Sequence, residues 1–426
     1  MRAALLQARR LAPESVVLAG LAAAWGAGLA VLLSHRVVVS NDSLSNYAHV
    51  WHVAGSLAGG QGIPFYFPEV GHGEGFAFPY AFVPWMTAAL LRPLLGDWVV
   101  TCWLVVGFGG VVVSAWFAFP ELRRPLPAAL FLANPFLVES VLLFQMPFLW
   151  ASAFLFAAVG AWRRGHPAWA IALAMLCEST HPAIGAPLLG MLVLAALPFE
   201  RDRWHLVRAV VLAGVLAAPA AAVTLLSPAL SDAGVVVAAA NLLGTVSLRA
   251  LVVGAGPGIA FAAGRLPRPA LWVALTAMLA LNVALIPVRH TAFAWQSLAR
   301  TPDQLALPFI ESPAFTRAAT YRVLRAGDGK VTMYQVLQGG GRLDSEFFPE
   351  SFARRSWGNA ADYRAFLDER KVDYVMLFPS YTARFHTNEQ TLLEQLRSEG
   401  CALPVPSPST FSVFNVAPCR ATVSPE

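Results

Sequence analysis

The sequence predicts a polytopic α-helical membrane protein with a small α/β soluble domain at its C-terminal end. Of its 426 residues, 57% are hydrophobic and only 13% are charged, whereas an ordinary soluble domain carries about 25% charged residues. Before His290, the chain repeatedly contains apolar runs close to the roughly 20 residues that a helix needs to cross a bilayer. From Thr301 onward, charged residues return at ordinary density, which indicates that this last part is soluble.

Helices are the natural spanning element because backbone polar groups in hydrocarbon must be satisfied within the segment. The sequence therefore predicts a helical transmembrane domain at 1–295, with an extracytoplasmic loop at 35–78, and an extracytoplasmic α/β domain at 296–426. The segment Phe78–Leu95 contains prolines that break a helix, and the sequence leaves open whether it crosses the membrane. If it does cross, another segment must be re-entrant. The predicted spans are Val16–Leu33, Val99–Phe119, Pro127–Leu143, Pro147–Trp162, Ala168–Pro198, Leu206–Leu226, Val235–Ala263 and Ala270–Pro287.

The C-terminal domain alternates between strand and helix patterns, which predicts a small α/β fold. The segment Thr387–Glu399 is predicted to be a helix with Thr387 as its N-cap, because threonine is a favoured cap and an acidic residue follows in the first turn. The other predicted elements are strands at Lys330–Leu337, Val372–Phe378 and Phe411–Val416, and a helix at Ala360–Lys371.

Arginine clusters set the predicted orientation, because short cytoplasmic loops are enriched in lysine and arginine. If all five clusters are cytoplasmic, the loop after the first span, the turns near Gln145 and His181, and the C-terminal domain all face outward. The net charge of +5 is explained by these loops and gives no reason to expect nucleic acid. The clusters are Arg2, Arg9 and Arg10; Arg123 and Arg124; Arg163 and Arg164; Arg201, Arg203 and Arg208; and Arg265 and Arg268.

Cys401 and Cys419 flank the last predicted strand and are candidates for a disulfide. A turn at Pro406–Ser409 allows Cys401–Val405 to run back against Phe411–Pro418 as a hairpin, which brings both cysteines to its open end. An outward-facing domain permits a disulfide there. Two unpaired thiols are the alternative, because spacing alone does not show that the side chains meet.

The candidate site lies behind the first span, in a loop at Ser40–Tyr80 that contains one Asp, two Glu, three His and several aromatic residues. Loops of this kind carry chemistry on a packed scaffold. Asp42 is either a catalytic base or the N-cap of a helix that follows it. His49 and His52 share one side of that helix. They either bind a metal together with a carboxylate, or face water on an interfacial amphipathic helix, or His49 alone contacts a phosphate or a sugar.

Three further residues belong to the candidate site. Glu74 lies in the glycine-rich stretch Pro68–Gly75, which either approaches a ligand closely or is a flexible surface loop. His181 lies in the sequence Glu178–Pro182, where the proline breaks an apolar run and leaves the histidine at a turn. Ionisable groups at membrane depth usually face a cavity or a partner, although a purely structural turn is the alternative. Gln145 flanks another turn on the predicted outer side.

A resemblance to a known family lies in the order of motifs in this part of the chain. An apolar first span leads to Asn41-Asp42, a short helix with Tyr47 and His49, the sequence Gly60-Gln61-Gly62-Ile63-Pro64, a glycine-rich aromatic stretch, and Phe78-Pro79-Tyr80. This order resembles the first extracytoplasmic loop of GT-C-type integral membrane glycosyltransferases, which use polyprenyl-phosphate sugar donors. The multi-span body and the C-terminal α/β domain also resemble bacterial members.

The resemblance implies that Asp42 is the catalytic base or a metal ligand. The sequence departs from members that carry a paired D-x-D or E-x-D motif, because Ser43 and Leu44 follow Asp42. A metal-binding pair is therefore not evident at this position. If a divalent metal takes part, Asp42 and His49 are its candidate ligands.

The chemistry of sugar transfer is consistent with such a site. It needs a base for the proton of the acceptor hydroxyl, and hydrogen-bond donors or positive charge for the departing phosphate. The resemblance therefore implies an inverting hexosyl or pentosyl transferase in the cell membrane, whose partners are a polyprenyl-phosphate-linked sugar and membrane lipid. Asp42 is the predicted catalytic residue, and the predicted substrate contacts are Tyr47, His49, Glu74, Gln145 and His181.

Two other functions remain open from the sequence. A transporter or flippase for a lipid or glycolipid would carry polar groups at the membrane midplane in repeated broken helices, whereas the polar residues here gather at loop ends. A non-catalytic membrane scaffold would need none of the candidate site residues.

Overall fold

The computed structural model of the protein describes residues 12–35, 37–38, 42–64, 66–67, 74–75, 81–196, 202–225, 235–287, 322–326, 342–343, 357–377, 387–406 and 412–420. The chain divides into two compact units. The first unit comprises Met1–Ser40, Pro79–Ala221 and Ala240–Ala299, and the second comprises Asn41–Phe78, Ala222–Ala239 and Arg300–Glu426. The loop that the sequence assigned to the helical domain is thus grouped with the C-terminal residues.

The described helices, in chain order, are α1 Pro13–Ser34, α2 Ser43–Ala58, α3 Phe82–Leu95, α4 Trp98–Ala118, α5 Pro125–Leu132, α6 Pro135–Leu142, α7 Met146–Arg163, α8 Pro167–Thr180, α9 Pro182–Ala196, α10 Arg203–Leu225, α11 Val235–Arg265, α12 Arg268–Ala284, α13 Ala360–Glu369 and α14 Glu389–Ser398. The strands are β1 Tyr66–Phe67, β2 Glu74–Gly75, β3 Arg322–Ala326, β4 Arg342–Leu343, β5 Tyr374–Leu377, β6 Leu403–Val405 and β7 Ser412–Asn415. Many of the helices begin at a proline, whose missing N–H is not needed in the first turn.

The helices of the first unit are consistent with a helical membrane protein. Within the described residues, α1, α4 and α7 are long and apolar enough to cross a membrane, and α5 and α6, bent by 45° at their junction, make a fourth candidate if they count as one span. Helices α3 and α12 are apolar but shorter. The predicted span Ala168–Pro198 is split into α8 and α9.

Helices α4 and α7 lie side by side and run in the same direction. Near their first turns, Trp103 stacks on Trp150 with ring centroids 6.3 Å apart. At their last turns, Arg163 Nη1 donates to the carbonyl oxygen of Ala118 at 2.7 Å. Gly107 permits the close approach, because a Cβ atom there would lie 2.8 Å from Trp150 Cδ1. This helix pair therefore fixes which helix ends lie together.

Helix α1 runs antiparallel to α4. Trp98 Nε1, at the start of α4, donates to the carbonyl oxygen of Leu33 at 2.9 Å, and Trp25 stacks on Phe108 at 4.3 Å. Because α8 follows α7 after a tight turn, its last residues return to the level of Trp98. We call the end of the first unit that holds Arg163 the arginine end, and the opposite end the polar end.

Helix α3 begins and ends at the polar end. Its preceding residue, Ala81, donates its N–H to the carbonyl oxygen of Thr180 at 2.6 Å, and Thr180 is the last residue of α8. A two-residue turn joins α3 to Trp98, which is also at the polar end. Helix α3 therefore does not connect the two ends of the first unit, while the number of membrane crossings stays a prediction.

The arginine end collects the described residues of four predicted arginine clusters. Trp162, beside Arg163, stacks on His205 at 5.4 Å, which brings the start of α10 to the end of α7. Arg268 lies 3.6 Å from Glu14 at the start of α1. Residues 2, 9, 10 and 201 fall outside the described residues. The clusters that were predicted to share one side of a membrane thus share one end of this unit, while the side itself stays a prediction.

The second unit contains a mixed five-stranded sheet in the order β4-β3-β5-β7-β6. Strand β3 is parallel to β4 and β5, and β7 is antiparallel to β5 and β6. Helices α13 and α14 contribute Tyr363, Leu367, Leu393 and Leu396 to the core against this sheet. The predicted elements at 360–371, 372–378, 387–399 and 411–416 are thus observed as α13, β5, α14 and β7. The predicted strand at 330–337 lies outside the described residues.

The predicted cap of α14 is wrong. Asn388, not Thr387, occupies the N-cap position, and its side chain makes no capping hydrogen bond. Instead, Asn388 Nδ2 donates to the carbonyl oxygen of Trp357 at 2.7 Å. The asparagine is used to hold the segment before α13, a tertiary contact that a local capping rule does not include.

Strands β6 and β7 form the C-terminal hairpin, with Leu403 opposite Asn415 and Val405 opposite Val413. Cys401 and Cys419 are joined by a disulfide at the open end of this hairpin, with Cα atoms 4.7 Å apart. The alternative of two unpaired thiols is therefore not what the structure contains.

A carboxylic acid is buried in the core of the second unit. Glu389 is 1% exposed, and Tyr363 Oη donates to its Oε1 at 3.2 Å. Burial raises the pKa of Glu389 to about 7, although its hydrogen bonds with Tyr363 and Thr387 act to lower it. Glu389 therefore gains its charge near neutral pH, whereas an exposed glutamate is already charged.

The stability of the second unit should fall as the pH rises. Because the pKa of Glu389 in the folded state, about 7, exceeds the model-peptide value of 4.5, folding is favoured most below pH 4.5 and loses about 3 kcal/mol as the pH rises through 7. We expect Glu389→Gln to remove most of this loss. The loss of stability is measured by hydrogen exchange of β5 peptides in the full chain at pH 5.5 and 8.5, after correction for intrinsic exchange rates.

Glu394→Gln provides the control, because Glu394 is exposed on the same helix. This variant should keep the pH dependence of the wild-type chain. If Glu389→Gln kept it as well, Glu389 would not be the titrating group.

Candidate functional site

Asp42 occupies the N-cap position of α2, but its side chain makes no capping hydrogen bond. The helix start is held by other groups: Asn46 Nδ2 donates to the carbonyl oxygen of Asp42 at 2.8 Å. The Asp42 carboxylate, which is half-buried, therefore does not cap the helix.

His49 is held in one orientation inside the second unit. It is 2% exposed, and its Nδ1 lies 2.6 Å from the carbonyl oxygen of Ser45. Because a carbonyl only accepts, Nδ1 carries the proton in this hydrogen bond. Burial lowers the pKa of His49 to about 4, opposed by the Ser45 hydrogen bond and assisted by repulsion from His52. His49 is thus a neutral hydrogen-bond acceptor at physiological pH.

Helix α2 is buried on most of its surface. Tyr47 is 1% exposed and Asn46 is 3% exposed, and the burial of His49 does not fit the alternative in which both histidines face water or headgroups. His52 is half-buried. Asp42, Asn46 and His49 are spaced four and three residues apart, so they share one face of the helix. A buried face with a carboxylate, an amide and a neutral imidazole is suited to binding hydroxyl groups.

The remaining candidate of this loop, Glu74, lies in a short hairpin. Strand β2 pairs antiparallel with β1, and Glu74 lies opposite Phe67. Only the backbone of this hairpin is described. The predicted neighbours Glu69 and His72 lie outside the described residues, so a role for this stretch stays a prediction.

In the first unit, the candidates His181 and Gln145 both lie at the polar end. His181 follows the last residue of α8 and is 3% exposed, and Pro182 begins α9, so the predicted break is confirmed. Gln145 precedes α7 and is half-buried.

Two non-glycine residues at the polar end adopt left-handed backbone conformations. Phe144, beside Gln145, has φ +59° and Ala81, beside α3, has φ +56°; both are fully buried. Such conformations cost roughly 1–3 kcal/mol and persist where the surroundings impose them, often at functional sites. The turns that carry the candidate residues are therefore constrained.

Helix α8 carries a buried polar group, Glu178, to which the sequence assigned no role. Glu178 is 7% exposed and makes no hydrogen bond or ion pair within the described chain. The hydroxyls of Thr180 and Ser152 are also buried without a hydrogen-bond partner among the described residues. Since α7 and α8 form an antiparallel hairpin, Ser152 and Glu178 lie at the same level. An ionisable residue inside an apolar run was the signal that could have identified this group.

A metal site is not assembled by the described residues alone. Among them, no three side chains of His, Cys, Asp or Glu lie close enough together to hold a metal ion. The divalent metal on Asp42 and His49 stays a prediction that would need further ligands. Asp42 and His49 belong to the second unit and His181 to the first, so the shared outward side that the sequence predicts for them also stays a prediction.

Comparison with known proteins yields no relative. No family model matches this chain, and a search of curated proteins finds no match.

We expect Glu178→Leu to raise the stability of the first unit. A buried carboxyl without a partner costs roughly 1–3 kcal/mol, and leucine fills similar space without a polar group. Thermal unfolding of the purified full chain in detergent measures the change. Glu394→Leu, the same substitution at an exposed position, should not raise the unfolding temperature. An unfolding temperature of Glu178→Leu below that of the wild type would show that the carboxyl stabilises the fold.

Proposed function

We propose that this protein is an inverting membrane glycosyltransferase of the GT-C type. It moves a hexose or pentose from a polyprenyl-phosphate donor to an acceptor at the outer membrane face. The proposal assigns the catalytic base to Asp42 and substrate contacts to Tyr47, His49, Glu74, Gln145 and His181. The acceptor is left open.

The observation that carries this proposal is the polar face of α2. Asp42 makes no capping bond with its own helix, and two turns further along, His49 is buried, neutral and oriented by Ser45. The buried and oriented imidazole of His49 shares this face with the carboxylate of Asp42. This combination favours a binding role for the face.

The proposed reaction has one displacement step. The oxygen of the acceptor hydroxyl attacks the anomeric carbon, and Asp42 takes the hydroxyl proton. The bond from the anomeric carbon to the phosphate oxygen breaks, and the polyprenyl phosphate leaves with the electron pair. His49 Nε2 accepts a hydrogen bond from a sugar hydroxyl, which a neutral imidazole can do and an imidazolium cannot.

A transporter is the second candidate, because α5 and α6 form a broken helix. Broken helices at membrane depth are a feature of transporters. Here, Asn282 Nδ2 donates to the carbonyl oxygen of Ala133 at 2.7 Å, and Asn134 accepts from the N–H of Phe136 at 3.0 Å. Protein groups thus already satisfy polar atoms at the break, which makes it less suited to bind a substrate.

Asp42→Asn should leave folding close to wild type and lower sugar transfer by about 10²-fold or more, the scale of a lost general base. The assay follows radiolabelled sugar from a panel of polyprenyl-phosphate hexoses and pentoses in membranes that contain the full chain. Asp368→Asn is the matched control, because Asp368 pairs with Lys371 on the surface, and it should retain full transfer.

Two outcomes would contradict the proposal. Unchanged transfer by Asp42→Asn would remove this residue from the mechanism. A wild-type chain that transfers no sugar from any donor, yet speeds lipid movement across liposomes, would favour the transporter.

A further inference from the structure

The arginine end of the first unit carries an unusual concentration of exposed cations. The described arginines there are all exposed, and only Glu14, Glu121 and Asp202 oppose them among the described residues. The chain contains no lysine before Lys330, so this surface uses arginine alone. The guanidinium group binds phosphate oxygens in pairs, which the ammonium group of lysine does not. The exposed arginines are Arg123, Arg124, Arg163, Arg164, Arg203, Arg208, Arg265 and Arg268.

Within this end, the junction of α7, α8 and α10 combines cations with exposed indole rings. Trp169, in the first turn of α8, is 69% exposed, and Trp204, in the first turn of α10, is 74% exposed. Arg203 precedes Trp204, and Arg164 is the C-cap of α7. Tryptophan prefers the level of lipid headgroups because its ring is apolar and its N–H is polar.

The exposed face of α10 changes from polar to apolar along the helix, which indicates the side on which the hydrocarbon of a membrane would lie. Trp204, Arg208, Val211 and Val215 follow one another at helical spacing, so they share one face. Val211 is 59% exposed and Val215 is 62% exposed. The face therefore changes from an indole and a guanidinium at the arginine end to valines about two turns further in. This is the order of groups that a lipid molecule presents, from its headgroup to its acyl chains.

Two of the cations at this junction are oriented by neighbouring aromatic rings, as Arg265 is by Phe261 elsewhere at the arginine end. The guanidinium of Arg164 lies over the ring of Phe117 at 3.7 Å and donates to the carbonyl oxygen of Gly160 at 2.9 Å. Arg163 lies over Phe119 at 5.9 Å. Stacking holds the planar groups in place without neutralising their charge, so less side-chain freedom is lost when a phosphate binds.

We propose that the junction of α7, α8 and α10 is a binding site for the headgroup of an anionic phospholipid. The phosphate lies against Arg164 and Arg203, the indole rings of Trp169 and Trp204 flank the glycerol region, and an acyl chain follows the valine face of α10. This lipid site is separate from the proposed transfer site and does not depend on it. A free polyanion would use the arginines but would gain nothing from the exposed indoles and valines.

The test measures phosphatidylglycerol bound to the full-length protein by native mass spectrometry from mixed micelles, with phosphatidylcholine as the neutral comparison. In Arg164→Gln with Arg203→Gln, the apparent affinity for phosphatidylglycerol should fall by about tenfold or more, since each basic group near an anionic surface contributes about 1 kcal/mol. Thermal unfolding shows that the variant is folded.

The control is Arg265→Gln with Arg268→Gln, which removes the same charge from the same end of the unit but away from the junction. It should change the affinity less than threefold on that scale. Equal losses in the two double variants would mean diffuse attraction and would overturn the site, as would no loss in either.

Trp204→Ala provides a test that keeps every charge. It should weaken phosphatidylglycerol binding while leaving the response to added salt unchanged, because the indole contact is not ionic. If glycerol 3-phosphate displaced phosphatidylglycerol as well as the intact lipid does, or if Trp204→Ala bound normally, the site would be one for a free phosphate instead.

Discussion

The first unit depends on one constraint: backbone polar groups in apolar surroundings need partners inside the protein. Continuous helices meet it automatically, and each interruption needs a specific solution. At the junction of α5 and α6, Asn282 donates to the carbonyl oxygen of Ala133. At the end of α8, the N–H of Ala81 supplies the carbonyl oxygen of Thr180. The helix breaks that carry candidate residues are therefore fixed by hydrogen bonds from distant parts of the chain.

This constraint connects the fold to the proposed chemistry. The bond between Ala81 and Thr180 holds the start of α3 at the polar end, beside the turn that carries His181. The left-handed conformation of Phe144 constrains the neighbouring turn in the same way. In the second unit, the Ser45 carbonyl orients His49. Each candidate side chain thus lies on backbone that its surroundings hold, which is what preorganised binding requires.

Local patterns in the sequence predicted much of this structure. The proline after His181 ended α8 as expected, and local strand and helix patterns predicted α13, β5 and β7. The hairpin at the C-terminal end followed from its proline and serine turn. In each case the deciding interaction lies within a few residues of the pattern. The arginine clusters also gather at one end, because alternating helix directions bring successive loops together.

The features that the sequence did not predict depend on distant contacts. That α3 returns to the end from which it starts follows from the bond between Ala81 and Thr180, almost 100 residues apart. Asn388 replaces Thr387 at the start of α14 because its side chain holds Trp357. The burial of α2 has no local signal either, since its mixture of polar and apolar residues equally suits an interfacial helix. Such contacts are a property of the tertiary structure.

We propose that the polar end of the first unit faces outward and the arginine end faces the cytoplasm. Cysteine labelling in intact cells tests it, with Cys102 and Cys177 replaced by alanine and either Gln145→Cys or His166→Cys introduced. These two positions lie at opposite ends of α7 and its turn into α8. The account predicts that a membrane-impermeant maleimide labels Gln145→Cys in intact cells and His166→Cys only after permeabilisation. Labelling of His166→Cys alone in intact cells would contradict it.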